Sequence, residues 1–138
     1  MADKIRLRVV TPRRLLLDEE VDEVTGPSTL GEFGVLLNHI SFLGLLESGE
    51  MSYKQGATKR YLAVSGGYAE VLENVMTVLA PTAEFGTEID VNRARAAKDK
   101  AEKRLEELHF EDREYTTAEA ALHRALVRLQ VASKEARK

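Results

Sequence analysis

Two short segments of this 138-residue chain carry residue types that could do chemistry on a phosphate or an ester. Gly26-Pro27-Ser28-Thr29-Leu30-Gly31 has the glycine spacing of a phosphate-binding P-loop, but Glu32 and Phe33 stand where Lys and Ser or Thr are required. A carboxylate there repels phosphate. The sequence around Ser65 is one residue short of the nucleophile-elbow motif, and no predicted helix follows it to orient the serine. We interpret both segments as turns.

Histidine is the other candidate for chemistry, as a metal ligand or a general base. His39, His109 and His123 lie in separate predicted elements, without the i, i+4 spacing of a metal site. We therefore predict no catalytic residue, no metal site and no required cofactor. A small hydrolase that uses Ser65 or His39 is the least favoured alternative.

The elements that must position these residues differ between the two parts of the chain. All nine glycines and all three prolines precede Thr87. Because Gly and Pro favour turns and are costly inside helices, the first part is predicted to hold many short elements and the second nearly continuous helix. We predict a domain of residues 1–87 and a second domain of residues 88–138.

The first part has the pattern of an antiparallel β-sandwich or flattened barrel. Ile5, Leu7 and Val9 alternate with charged residues, as in a half-buried strand. Further strand-like runs are Val21 to Thr25, Gly34 to Leu37, Met51 to Lys54, Tyr61 to Ser65, Tyr68 to Leu72 and Val75 to Ala80. Gly56, Gly66-Gly67 and Glu73-Asn74 supply turn residues between runs. No helical pattern separates them, which argues against an α/β sheet.

The second part is predicted to be an antiparallel two-helix hairpin, so the fold class is α+β. Apolar residues recur at three and four from Val91 to Leu108, and Asp90 is a suitable N-cap. His109 to Tyr115 is predicted as a connector, and Thr116 with Glu119 as the capping box of a second helix. The seam is mostly alanine and buries little apolar area, which favours a weakly held, movable hairpin. A permanently docked hairpin is the equal alternative.

Charge excludes a nucleic-acid binder. Through Glu88 the chain has 8 basic and 13 acidic residues, and from Ile89 it has 12 basic and 10 acidic residues, giving −5 and +2. Neither part has the basic excess that nucleic acid requires. The absence of cysteine excludes disulfides, and no apolar run reaches the ~20 residues that cross a bilayer.

Four motifs resemble one family over essentially the whole chain. They are Gly31-Glu32-Phe33-Gly34-Val35-Leu36 followed by His39, Val64-Ser65-Gly66-Gly67-Tyr68-Ala69-Glu70-Val71, Val75-Met76-Thr77-Val78-Leu79-Ala80 and Ile89-Asp90-Val91-Asn92-Arg93-Ala94. In this order and spacing they resemble the epsilon subunits of bacterial and chloroplast rotary proton-translocating ATP synthases. One loop departs from the family pattern, because Leu37-Asn38-His39-Ile40-Ser41 replaces Pro-Gly-His-Ala-Pro. Asn38 can replace the glycine at positive φ.

The resemblance implies a non-catalytic rotor subunit of the central stalk. It implies a sandwich that binds the gamma subunit and the c-ring, with Glu32 and His39 at that contact, and a peripheral location on the cytoplasmic face of the bacterial inner membrane. It also implies a hairpin that regulates ATP hydrolysis, extending into the catalytic alpha/beta head through Arg124 and Arg128. Solvated surface is the alternative for Glu32, and loop packing the alternative for His39.

The resemblance further implies a possible regulatory ATP site on the hairpin. Its residues would be Glu84, Ile89, Asp90, Arg93, Ala94, Lys100, Arg124 and Arg128. Structural capping of the helix by Asp90 is the favoured alternative to ATP binding. The alternative to the family is an unrelated β-sandwich adaptor with a permanently docked hairpin.

Overall fold

The computed structural model describes residues 4–136, so the ends of the predicted domains, residues 1–3 and 137–138, lie outside it. The chain forms two compact units, the first ending at Phe85 and the second beginning at Gly86. The first unit contains β1 (Ile5–Val10), β2 (Leu15–Val21), β3 (Glu23–Ser28), β4 (Gly31–Leu36), β5 (Phe42–Gln55), β6 (Thr58–Leu72), β7 (Val75–Leu79) and β8 (Ala83–Phe85). The second contains a 3-10 turn (Gly86–Glu88), α1 (Val91–Glu107) and α2 (Arg113–Ala136).

The strands form the predicted β-sandwich, in the order β2-β1-β7-β6-β5-β3-β4, with β8 beside β6. The long strands β5 and β6 belong to both layers, because β7 pairs with the second half of β6 and β8 with the first half. Ile5, Leu7 and Val9 of β1 point into the core together with Met51, Leu62 and Met76. The sandwich is antiparallel except that β1 and β7 run parallel.

Several strand predictions were wrong in their limits, among them Met51 to Lys54, which covers only the last part of β5. Tyr61 to Ser65 and Tyr68 to Leu72 are one strand, because Gly66 and Gly67, with φ of 90° and 108°, bend β6 without ending it. The run from Val21 to Thr25 spans the break between β2 and β3 at Asp22. The predicted turns at Gly56 and Glu73-Asn74 are confirmed, and all three residues have positive φ.

In the second unit, α1 and α2 pack along alanines, as predicted. Ala94 and Ala101 of α1 are buried, and so are Ala118 and Ala125 of α2. The predicted capping box at Thr116 and Glu119 was wrong, because α2 already begins at Arg113. The connector is accordingly shorter than predicted, and the backbone N–H of His109 is bound by the Asp112 carboxylate at 2.8 Å.

Candidate functional site

Glu32 and His39 lie in different settings, although the resemblance assigns both to one contact. Glu32 lies in edge strand β4 and pairs with Pro27, because Gly31, with φ of 114°, completes the preceding turn. Its side chain is exposed. His39 lies in the loop between β4 and β5 and is half-buried. The two side chains therefore form no single cluster.

His39 packs into an aromatic trio. Its ring lies 5.4 Å from the ring of Phe42, which lies 5.6 Å from Phe33 in a nearly perpendicular arrangement. Such edge contacts are the favoured geometry for aromatic pairs. The imidazole Nδ1 is also 2.8 Å from the carbonyl oxygen of Ile40. Because successive side chains of a strand point to opposite faces, Glu32 points away from the trio.

The loop that carries His39 is held by its neighbour Asn38. Asn38 has φ of 64°, which confirms that it replaces a glycine at positive φ. Its backbone N–H donates to Oδ1 of Asn74, in the β6–β7 turn, at 2.7 Å. The N–H of His39 donates to the carbonyl of Leu36 at 3.1 Å. The loop is thus tied to a turn 36 residues away in sequence.

The outer face of one layer carries exposed apolar side chains that the sequence reasoning missed. We call five of them the apolar row, and each is the register partner of the next: Leu45, Tyr68, Leu79, Val10 and Leu15. Four are at least half exposed: Leu45 at 55%, Tyr68 at 54%, Leu79 at 50% and Leu15 at 51%. Five strands span about 19 Å. Contiguous apolar surface of this kind marks an interaction site.

A charged row lies beside the apolar row on β1 and β2. The guanidinium Nε of Arg6 donates to Asp18 at 2.8 Å, and Nε of Arg8 lies 3.8 Å from the same carboxylate. The hydrogen bond from Arg6 is the main reason that the pKa of Asp18 lies below its ordinary value, with a smaller contribution from the Coulombic field of Arg8. This face therefore presents an apolar stripe next to paired charges.

The hairpin has an open groove of about 650 Å³ between its two helices. Ala97, Ala101, Ala118 and Ala121 form its floor. Its rim is charged, with Lys100, Lys103, Arg104, Glu107 and Glu114. Arg104 forms an ion pair with Glu114 across the groove and lies 3.6 Å from Glu107. The alanine floor leaves little side-chain volume between the helices.

The residues predicted to bind ATP are only partly brought together. Contacts at both ends of the hairpin show its register. Arg104 pairs with Glu114 near the connector. At the other end Gly86 lies so close to α2 that a Cβ on it would stand 3.0 Å from the Val131 carbonyl oxygen. This antiparallel register puts Arg124 and Arg128 level with the first turns of α1, where Arg93 stands. Lys100 lies about 10 Å further along the helix axis, in the groove. Glu84 lies in β8 of the first unit and pairs with Ala63.

The Ile-Asp-x-x-Arg-Ala motif has a structural role at the start of α1. Oδ1 of Asp90 accepts a hydrogen bond from the backbone N–H of Arg93 at 3.1 Å, which is the N-cap geometry. Ile89 and Ala94 are buried, whereas the Arg93 side chain is exposed. The motif therefore caps and anchors the helix, and its one cationic side chain, Arg93, is exposed.

Both rejected catalytic motifs are structural, but the prediction that both are turns was wrong for Ser65, which lies within strand β6. Ser65 clasps β6 to the segment before β8, since its Oγ accepts from the N–H and the hydroxyl of Thr82 at 2.9 and 2.7 Å. The glycine-rich segment is the turn between β3 and β4, closed by a 2.6 Å hydrogen bond from Ser28 Oγ to the Gly31 carbonyl. Within residues 4–136, no group of three His, Cys, Asp or Glu side chains could hold a metal ion. Neither described helix is long and apolar enough to cross a bilayer.

Comparisons with known proteins match the whole chain. Residues 4–86 match the "ATP synthase, Delta/Epsilon chain, beta-sandwich domain" and residues 87–133 the "ATP synthase, Delta/Epsilon chain, long alpha-helix domain". The chain is 54% identical to the ATP synthase epsilon chain of Syntrophobacter fumaroxidans over 97% of this chain and 99% of that protein. It is 51% identical to that of Geobacter metallireducens over the full length of both.

Two solved structures have the same fold. A chain in the Euglena gracilis mitochondrial ATP synthase, in an OSCP/F1/c-ring structure, superposes with a TM-score of 0.71 at 23% identity, over 99% of this chain and 82% of that one. A chain in the Tetrahymena thermophila mitochondrial ATP synthase central stalk and c-ring superposes with a TM-score of 0.57 at 14% identity, over 96% of each.

Proposed function

We propose a function for each unit of this chain, which belongs to the ATP synthase delta/epsilon chain family. Within that family it is a non-catalytic subunit of the central stalk. The observation that carries the proposal is that about half of the residues are identical to those of epsilon chains, over the whole length of those chains. Membership removes the alternative of an unrelated adaptor.

The sandwich is proposed to transmit torque between the c-ring and the gamma subunit, at the cytoplasmic face of the bacterial inner membrane. The apolar row is assigned to gamma, because burying its half-exposed side chains releases about 25 cal/mol per Å² and a stalk subunit must stay bound under torque. The exposed carboxylate of Glu32 and the loop of His39 are assigned to the polar c-ring loops. Two separate contacts are what a coupling subunit requires.

The hairpin is proposed to regulate ATP hydrolysis by moving between a folded state and one extended into the alpha/beta head. Its alanine floor supports this assignment, because small side chains bury little area and make separation of the helices less costly. In the extended state, Arg124 and Arg128 meet an acidic segment of the head. They lie one turn apart on α2, Arg124 exposed and Arg128 half-buried. Each exposed ion pair contributes only ~0–1 kcal/mol, so the contact depends on several pairs and weakens with salt.

Regulatory ATP is the second candidate function of the hairpin. Arg93, Arg124 and Arg128 lie near one end of the two helices, which supports an anion site there. Lys100 lies about 10 Å away and has a point charge rather than a planar guanidinium. Calorimetric titration of the chain with millimolar ATP tests the site. ATP binding is supported if the binding heat disappears in Arg93→Ala and persists in Asp90→Asn, which keeps the N-cap. Absence of binding heat in the parent chain rejects it.

The central experiment measures ATP hydrolysis by a cognate catalytic head that lacks this subunit. The full chain is added back, or the variant Arg124→Glu/Arg128→Glu. The control, Arg95→Glu/Arg113→Glu, makes the same charge change at two other exposed arginines of the hairpin. We expect the parent chain and the control to inhibit, and the test variant to bind without inhibiting.

The outcomes separate the proposals. Equal inhibition by both variants rejects the assignment of Arg124 and Arg128. Binding of the parent chain without inhibition rejects a regulatory hairpin and supports a permanently docked one. Failure of the parent chain to bind rejects its role as a stalk subunit of that complex.

A further inference from the structure

Asn74 holds the loop that carries His39 although it lies in a different turn of the sandwich. Its Oδ1 accepts the backbone N–H of Asn38 at 2.7 Å, and its Nδ2 donates to Oδ1 of Asn38 at 3.4 Å. The carbonyl of Asn74 accepts the N–H of Arg6 at 2.9 Å, which ties this turn to β1. The contact therefore joins the loop to the two parallel strands β1 and β7.

Both asparagines are in the left-handed region, each with φ of 64°. Asn is among the few residues other than Gly that adopt this conformation at low cost. Asn38 permits the conformation of the loop, but Leu37–Ser41 contains no proline that would fix it. The hydrogen bond from Asn38 to Asn74 is therefore a restraint that the loop's own residues do not supply.

The restraint extends to His39 and the aromatic trio. With Asn38 fixed, the next residue forms its turn bond to Leu36 at 3.1 Å and places its ring 5.4 Å from Phe42. Phe42 in turn contacts Phe33, the neighbour of Glu32. A displacement of Asn38 would thus be transmitted to the residues assigned to the c-ring contact.

We propose that Asn74 is a positioning residue for the c-ring-facing loop, acting through its Oδ1 on the backbone N–H of Asn38. The inference rests on the proposed function for the role of that loop, but the restraint itself is measurable in the free chain. It also predicts an asymmetry between the two asparagines. The side chain of Asn74 is required, whereas Asn38 contributes mainly its backbone.

The test compares Asn74→Gly, Asn74→Asp and Asn38→Gly. Glycine at position 74 keeps the positive φ but removes the acceptor, aspartate keeps the acceptor, and glycine at position 38 keeps both the positive φ and the N–H donor. The first readout is exchange of the residue 38 amide by NMR in the free chain. We expect Asn74→Gly to accelerate exchange about tenfold, in line with the loss of one hydrogen bond, and the other two variants to stay within about threefold of the parent.

The second readout is affinity for a cognate gamma and c-ring subcomplex that lacks this chain. Binding is measured at a temperature below the unfolding transition of every variant. Ser65→Ala, which removes a hydrogen-bonding hydroxyl far from the loop, controls for a general loss of stability. We expect Asn74→Gly to weaken binding about fivefold, and Asn74→Asp, Asn38→Gly and Ser65→Ala to weaken it less than twofold. His39→Ala and Glu32→Gln, measured alongside, report on the proposed contact itself.

The failures are distinguishable. Unchanged amide exchange in Asn74→Gly rejects the restraint. Faster exchange with unchanged binding, while His39→Ala weakens binding, rejects the positioning role and leaves the proposed contact standing. Unchanged binding in His39→Ala and Glu32→Gln rejects the proposed contact, and the positioning role with it.

Discussion

Gly67 approaches Leu79 so closely that a Cβ atom on the glycine would stand 2.0 Å from the Leu79 carbonyl oxygen. Gly67 also has φ of 108°, a conformation that side chains with a Cβ rarely adopt. The next residue, Tyr68, is the register partner of Leu79 in the apolar row. The glycine therefore permits the close pairing of β6 and β7 on which the row depends.

Gly67→Ala is expected to destabilise the sandwich by more than backbone strain alone. The left-handed conformation costs a non-glycine residue about 1–2 kcal/mol, and overpacking against a backbone atom costs about 1–3 kcal/mol more. Urea denaturation measures the free energy of unfolding. Gly31→Ala is the matched control, since its φ is 114° and nothing lies within 4 Å of its Cβ position. An equal loss in the two variants would show that the contact with Leu79 contributes nothing.

Acid should weaken the sandwich through Asp22. This carboxylate accepts hydrogen bonds from Lys4 and from the backbone N–H of Gly56, and both lower its pKa below the ordinary value. A folded pKa below the unfolded one gives stability that is present above about pH 4 and is lost as the pH falls through the folded pKa. We expect Asp22→Asn to unfold at lower urea at pH 7 and to lose less stability than the parent below pH 4.

The measurement is the urea midpoint at several pH values from 7 down to 2. Glu47→Gln, which removes an exposed carboxylate elsewhere on the sandwich, controls for the change in net charge. It should retain the parent's acid dependence. If Asp22→Asn and Glu47→Gln give the same pH profile, the contacts of Asp22 are not a source of acid sensitivity.

Most of the fold could be predicted from the sequence, because its signals are local. Alternation in β1, the three- and four-residue spacing in the helices and the N-cap at Asp90 each depend on neighbouring residues. The limits of β6 could not be predicted, since the same Gly-Gly pair serves a turn or a bend. What decides between them is the register of β6 on β5, which continues on both sides of the pair.

The candidate sites were less predictable, because they depend on register and long-range pairing. The apolar row joins residues from five strands, and only the alignment of those strands makes Leu45 a neighbour of Tyr68. The sequence signal that could have revealed the apolar row was the presence of apolar residues on both faces of the strand segments. Asn74 was predicted as a turn residue, but its bond to Asn38 spans 36 positions and has no local pattern.

Asp90→Ala should destabilise the hairpin by removing its N-cap. Loss of such a cap costs about 0.5–2 kcal/mol, because the N–H of Arg93 loses its acceptor. Helicity by circular dichroism during thermal unfolding measures the effect. Asp90→Asn and Asp90→Ser keep an acceptor and should recover most of the loss. Similar melting of all three variants would mean that the cap does not stabilise the helix.

Gly86→Ala should loosen the packing of the 3-10 turn against α2. A Cβ there would stand 2.3 Å from Cγ of Glu135 and 3.0 Å from the carbonyl of Val131. The glutamate can swing away, but the carbonyl belongs to the helix backbone and must shift with it. We expect a loss of about 1–3 kcal/mol, in the range of overpacking, with faster amide exchange in the last turns of α2.

A second variant separates the flexible contact of Gly86 from the fixed ones. In Gly86→Ala/Glu135→Ala the Cγ clash is gone, while the 3.0 Å approaches to Cβ of residue 135 and to the Val131 carbonyl remain. If the double variant recovers the amide protection lost in Gly86→Ala, the flexible side chain was the obstacle. If protection stays low, the fixed atoms of α2, the Val131 carbonyl and the Cβ at position 135, set the requirement for glycine at position 86. Unchanged protection in Gly86→Ala would contradict both.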